Sequence, residues 1–150
     1  MNTKKIIIVG DSGVGKTTFM RRMCGADFDP HVDPTRGYDV RRPRDKTNAH
    51  YVFWDSAGTK YDPDPAPEFH KHAALAIVMY DVSKPATDSV SQWKAIIRYE
   101  NPEIPICVIG NKGDLACEQN GIPGTRSIIS LKKDFDPETG FAMLREQIQE

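Results

Sequence analysis

Apolar residues in this chain come in short blocks separated by glycine, proline and charge. Ile6, Ile7, Ile8 and Val9 form the first block and read as a buried strand, which runs into Gly10-Asp11-Ser12-Gly13-Val14-Gly15-Lys16-Thr17. From Lys16 to Cys24 the spacing turns helical, with Phe19, Met20 and Met23 facing inward, and Gly25 ends the segment. A weak strand pattern over Tyr38–Arg44 and a stronger one over Ala49–Trp54 would be joined by a hairpin through Asp45 to Asn48. Ser56 to Pro67 is rich in Pro, Gly and Asp and reads as a mobile loop. Two continuous apolar runs, Ala74–Tyr80 and Ile104–Ile109, are the length of buried parallel strands. Between them Val90, Trp93, Ile96 and Ile97 recur at helical spacing, which makes a right-handed crossover. A short strand over Arg126–Ser130 precedes a helix opened by Asp136-Pro137-Glu138, with Phe141, Leu144 and Ile148 inward. The sum is a three-layer α/β domain with a mostly parallel sheet, in which ligands bind outside the carboxyl ends of the strands.

Composition narrows the class without naming a function. The 150 residues suit one domain with a single core, and 39% hydrophobic and 27% charged content is ordinary for a globular protein. A net charge of -1 gives no electrostatic pull toward nucleic acid or an anionic membrane. Cys24, Cys107 and Cys117 are an odd number without C-x-x-C spacing, so a reduced intracellular protein without a zinc site is expected, with Cys107 in the core. His70 and His72 form H-x-H with no third ligand nearby and read as surface histidines. No apolar run has signal-peptide or membrane-spanning length, and neither end carries a lipidation motif, so no membrane anchor is expected in this chain.

The chemistry lies where the strands end. Gly10 to Thr17 fits the phosphate loop G-x-x-x-x-G-K-[ST]. Glycines there let backbone N–H groups approach phosphate oxygens; Lys16 adds a charge near the β and γ phosphates, and the Thr17 hydroxyl suits Mg²⁺. Asp55, at the end of the next strong strand, suits Mg²⁺ held through water, and Gly58 could bring its N–H to a γ-phosphate. After the Ile104–Ile109 run, Asn111-Lys112-Gly113-Asp114 offers a carboxylate that can accept from the N1 and N2 donors of guanine, where adenine presents the opposite pattern. Read singly, Asp55-to-Gly58 and Asn111-to-Asp114 are also common surface turns; their order after a phosphate loop favours the nucleotide site. By the same residue-level reading Thr35 after Pro34 is a turn residue, and Phe28 is a core aromatic under its loop.

These motifs in this order, with the threonine of Asp33-Pro34-Thr35 and with Ser130-Leu131-Lys132, resemble the Ras superfamily of small GTPases over nearly the whole chain. The TTFMRR, PTRGYDV and AIVMYDVS segments look most like the Ran branch, with the Rab branch next. The resemblance implies a P-loop G domain that binds GTP and GDP with Mg²⁺, hydrolyses GTP slowly and acts as a switch for an exchange factor, an activating protein and effectors. It assigns nucleotide contacts to Asp11, Ser12, Gly13, Val14, Gly15, Lys16, Thr17, Thr18, Phe28, Thr35, Gly58, Asn111, Lys112, Asp114, Ser130, Leu131 and Lys132. Metal contacts fall to Thr17, Thr35 and, through water, Asp55; catalytic roles fall to Lys16, Thr35, Gly58 and Thr59. It implies a monomer in the cytoplasm, with the nucleus as second location.

The departures matter as much. Thr59 stands where the family has the glutamine that orients the attacking water, so hydrolysis is expected to be slow even for this family. Asp114 to Ser130 is too short for the family's helix and its connections, so that helix is expected to be missing or reduced to a turn. Pro63, Pro65 and Pro67 resist helix in a segment that is usually helical. Leu131 replaces a usual alanine, which a backbone contact tolerates if the side chain points away. Two rival readings remain open: a nucleotide-locked, hydrolysis-deficient module that sequesters GTPase machinery, and a nucleotide kinase built on the same loop.

Overall fold

A computed structural model describes residues 2–31, 37–57, 67–85, 88–115, 122, 124–132 and 135–148. Strands β1 (Lys4–Val9), β2 (Tyr38–Arg41), β3 (Tyr51–Ser56), β4 (Ala73–Asp81), β5 (Ile106–Asn111) and β6 (Ser127–Ile128) form one six-stranded sheet. Its order is β2-β3-β1-β4-β5-β6; β2 runs antiparallel to β3 and every other pairing is parallel. Helices α1 (Lys16–Met23), α2 (Ser89–Glu100) and α3 (Pro137–Ile148) complete the three layers.

Alternation along the strands decides which helix covers which face. Ile6 and Ile8 of β1 join Tyr51, Phe53, Leu75, Ile77 and Met79 in a core closed by Phe19, Met20 and Met23 of α1 and Phe141, Met143 and Leu144 of α3. Ile7 and Val9, one residue out of phase, face the other way and join Ala76, Val78 and Val108 under Val90, Trp93 and Ile97 of α2. Four successive apolar positions in β1 therefore serve two cores, and each fully buried isoleucine contributes about 1.5–3 kcal/mol.

The helices lie where the periodicity placed them, with Phe19, Met20, Met23, Val90, Trp93, Ile97, Phe141 and Leu144 buried and Ile96 and Ile148 only partly so. Asp136 opens α3 by accepting from the Glu138 N–H at 3.1 Å, ahead of Pro137 in the first turn. Strand limits moved more. β2 stops at Arg41 instead of Arg44: the Arg44 N–H turns to the Cys24 carbonyl at 3.4 Å, and Lys46–Asn48 follows as a 3-10 turn with its Thr47 N–H capped by Asp45. β3 begins at Tyr51 and continues past Asp55 to Ser56; β5 covers Ile106–Asn111; β6 keeps only two residues of its expected five.

Lys5, a charge inside β1, is buried because its ammonium lies 3.8 Å from the Trp54 ring centroid and donates to the carbonyls of Glu68 and Lys71. Tyr38 stacks on Trp54 with centroids 5.0 Å apart. His72 is exposed, but His70 is half-buried against the edge of Phe69, which corrects its reading as a surface residue. Burial lowers its pKa from 6.5, Glu100 raises it and Lys5 lowers it further. Among the described residues no group of three His, Cys, Asp or Glu could hold a metal, and no helix is long and apolar enough to cross a membrane.

Between Asp114 and β6 the described residues form a 3-10 turn, Gly113–Leu115, and a turn at Ile122 to Thr125. The Tyr80 hydroxyl accepts from the Ile122 N–H at 3.1 Å and lies 2.8 Å from the Thr125 hydroxyl, pinning that turn to the sheet. The expected loss of a family helix falls largely on residues 116–121, outside the described ones, as does most of the loop expected to be mobile.

Candidate functional site

Parallel pairing brings the motifs together. The carboxyl ends of β1, β3, β4 and β5 all point to one edge, and the register sets Asp55 beside Ile8 and Asn111 beside Asp81. A bond from the Ser56 hydroxyl to the Ile8 carbonyl, 3.2 Å, fixes the first of these pairs.

Residues 10–17 bridge β1 and α1 with Gly10, Gly13 and Gly15 all at positive φ, as the phosphate-loop reading requires. Gly15 is the residue before α1; it has no side chain to cap the helix, and the first turn carries no acidic residue, so the helix's positive end is left to an anion. A Cβ at Gly15 would stand 2.3 Å from the Asn111 Nδ2. Lys16 is buried, and its ammonium donates to the Asp11 carbonyl at 3.1 Å across the loop. Burial lowers its pKa from 10.5 against the opposing pull of Asp55 and Asp11, and a phosphate beside it would add to that upward pull.

The Thr17 hydroxyl donates to the carboxylate of Asp55, which is fully buried. This pair is the candidate metal position. Mg²⁺ takes few protein ligands and keeps waters and phosphate oxygens, so one hydroxyl and one carboxylate fit it.

At the other end Asn111 joins the two halves of the site. Its Nδ2 donates to the Val14 carbonyl at 2.9 Å and its Oδ1 accepts from the Leu131 N–H at 3.4 Å. The Ser130 hydroxyl donates to Asp114 at 2.8 Å, and the Gly113 N–H to the Ile129 carbonyl at 2.9 Å, so the segment after β6 holds the carboxylate loop. Lys112 adopts φ 65° and its ammonium lies 3.1 Å from Asp81. Burial alone would raise the Asp81 pKa, but hydrogen bonds from the Ser83 hydroxyl and amide and the Lys112 charge hold it below 3.8.

Two residues assigned to the site have side chains held by other parts of the fold. The Asp11 carboxylate accepts from the Ser89 hydroxyl and, at 3.0 Å, from the Trp93 indole of α2, while its carbonyl accepts from Lys16. The Leu131 side chain is buried in the core with Val14 and Phe19, its Cδ1 3.4 Å from where a Gly15 Cβ would be. Phe28 is half-buried against that core, Thr18 is half-buried, and Ser12, Gly13 and Lys132 are exposed. Thr35, Gly58 and Thr59 lie outside the described residues. Asp81, Ser83, Ser89 and Trp93 are the residues that sequence reasoning missed. Trp93 carried only a core-facing spacing, and no sequence signal linked it to Asp11.

A groove of about 620 Å³ between β6 and α3 also touches Asp114 and Ser130, but none of Gly15, Lys16 or Thr17 lines it.

Fold and site together define a P-loop domain of the Ras superfamily. Residues 5–114 match the family described as "Ras of Complex, Roc, domain of DAPkinase", and the chain belongs to that family of Ras-like GTPase domains. It is 33% identical over 116 residues to the Ras-related protein Rab-22A of dog, human and mouse, covering 74% of this chain. The chain spans 60% of the length of those relatives. These matches lie on the Rab side and lend nothing to the expected likeness to Ran.

Proposed function

We propose that this chain is a guanine-nucleotide switch that binds GTP and GDP and hydrolyses GTP slowly. The observation that carries the reading is Asn111, whose amide ties the phosphate loop at Val14 to the segment bearing Ser130 and Leu131, beside a carboxylate oriented by Ser130. Phosphate binding falls to the loop amides, the α1 terminus and Lys16; base selection falls to Asp114, which accepts the paired donors of guanine and rejects adenine. Thr17 and, through water, Asp55 would hold Mg²⁺, joined by Thr35 with GTP bound, and the ion would neutralise charge on the phosphates. Catalysis rests on positioning more than on a strong base, since Thr59 lacks an amide to orient water. Exchange, activating and effector proteins follow from the family as partners.

The test is competition binding in Mg²⁺ with GDP and ADP. GDP binds far more tightly in the wild type, and Asp114→Ala removes the preference; equal binding of both nucleotides overturns the proposal. Thr59 also favours a second reading, a locked module without turnover. Single-turnover phosphate release, alone and with cell extract, separates the two: release that extract accelerates supports the switch, and none in either arm supports the locked module.

A further inference from the structure

The Asp11 carboxylate sits in a loop that is otherwise built for anions, where a free negative charge would repel phosphate. It is not free. The Ser89 hydroxyl bonds one of its oxygens and the Trp93 indole N–H the other, at 3.0 Å, and both donors come from the first two turns of α2, 78 and 82 residues away in sequence. The Asp11 carbonyl, on the opposite side of the same residue, receives the Lys16 ammonium at 3.1 Å. Asp11 thus links α2 to the phosphate-binding lysine, and the link is direct: one residue, two side-chain donors on one side and one on the other.

We propose that Ser89 and Trp93 are positioning residues for phosphate binding, which act by turning the Asp11 carboxylate out of the phosphate loop and holding the loop in the shape that presents Lys16. The inference rests on the nucleotide reading above. Both residues belong to α2, outside the loops assigned to the nucleotide. Trp93 is buried under the sheet, so its ring also has a packing role, and the hydrogen bond must be separated from the ring. Trp93→Phe does this by keeping an aromatic ring and deleting the N–H; Ser89→Ala deletes a hydroxyl at the helix start.

The experiment follows release of a fluorescent GDP from wild type, Trp93→Phe, Ser89→Ala and the same two changes in an Asp11→Ala background, with the GDP-to-ADP affinity ratio measured for each. Loss of one bond to a charged group is expected to speed GDP release about tenfold in each single variant. Two further results separate positioning from packing. The base preference stays at its wild-type ratio, because Asn111 and Asp114 are untouched, and in the Asp11→Ala background the Trp93 and Ser89 changes alter release by less than twofold. Unchanged release in the single variants, or equal acceleration with and without Asp11, overturns the proposal. A wild type that shows no GDP preference instead overturns the nucleotide reading, and that outcome is visible before any variant is made.

Discussion

Gly15 is the most demanding position in the phosphate loop, and Gly15→Ala tests how the two halves of the site are joined. Its φ of +104° is a conformation that L residues rarely adopt, which costs about 1–3 kcal/mol. The new Cβ would also stand 2.3 Å from the Asn111 amide nitrogen. That amide cannot step aside without loss: Asn111 is buried, donates to Val14 at 2.9 Å and accepts from Leu131 at 3.4 Å. Leaving one buried group unsatisfied costs a further 1–3 kcal/mol or about that. The strain lowers stability with or without nucleotide, so the affinity loss comes from the collision, about 1–3 kcal/mol or roughly tenfold to a hundredfold if the bound state needs the native junction. Two controls isolate the cause. Gly124→Ala carries the strain alone, at φ +87° with nothing within 4 Å, so it lowers the melting midpoint and leaves GDP affinity unchanged. Adding Gly15→Ala to Asn111→Ala relieves the collision, so the double variant loses clearly less than the sum of the singles. Calorimetric titration with GDP measures all four. Affinity of Gly15→Ala within threefold of wild type, or full additivity with Asn111→Ala, refutes the reasoning.

Asp81→Asn removes the charge that holds Lys112 and is expected to weaken GDP binding about tenfold, read by the same titration. Because its pKa in the folded protein is below the ordinary 3.8, the Asp81 contribution to stability is complete above that value and is lost as pH falls through the lower folded one; acid-melting curves of wild type and variant should converge only there. Tyr80→Phe releases the Ile122–Thr125 turn and should lower stability by about 1 kcal/mol in urea unfolding while leaving GDP affinity unchanged. Burial raises the thiol pKa of Cys24 and of Cys107 to about 11, so both should resist a thiol reagent at pH 8 until the protein is unfolded, when mass spectrometry of the labelled peptides finds them modified.

The fold was legible because its signals are local. Continuous apolar runs marked the central strands, the 3.6 spacing marked α1, α2 and α3, and the glycines of the phosphate loop announced a backbone that only glycine adopts cheaply. The strand ends were less legible: β2 and β6 are edge strands, and beyond β2 the Arg44 N–H bonds the Cys24 carbonyl instead of a neighbouring strand. Residues whose roles depend on the main chain, such as Gly13 and Gly15, were found from type and spacing. Residues whose roles depend on a distant partner were not.

The amino-acid order by itself therefore determined the layers, the direction of the sheet and the motif loops at one edge, since each follows from spacing within a few residues. Tertiary structure alone decided what the side chains of those loops do. The Asp11 carboxylate faces α2 because Ser89 and Trp93 arrive there on another element, and Leu131 packs beside Gly15, which has no Cβ to fill that space. Hydrogen-bond partners 78 or more residues apart leave no periodic trace in the sequence; only the packing of α2 over the face that carries Ile7 and Val9 of β1 brings them within reach.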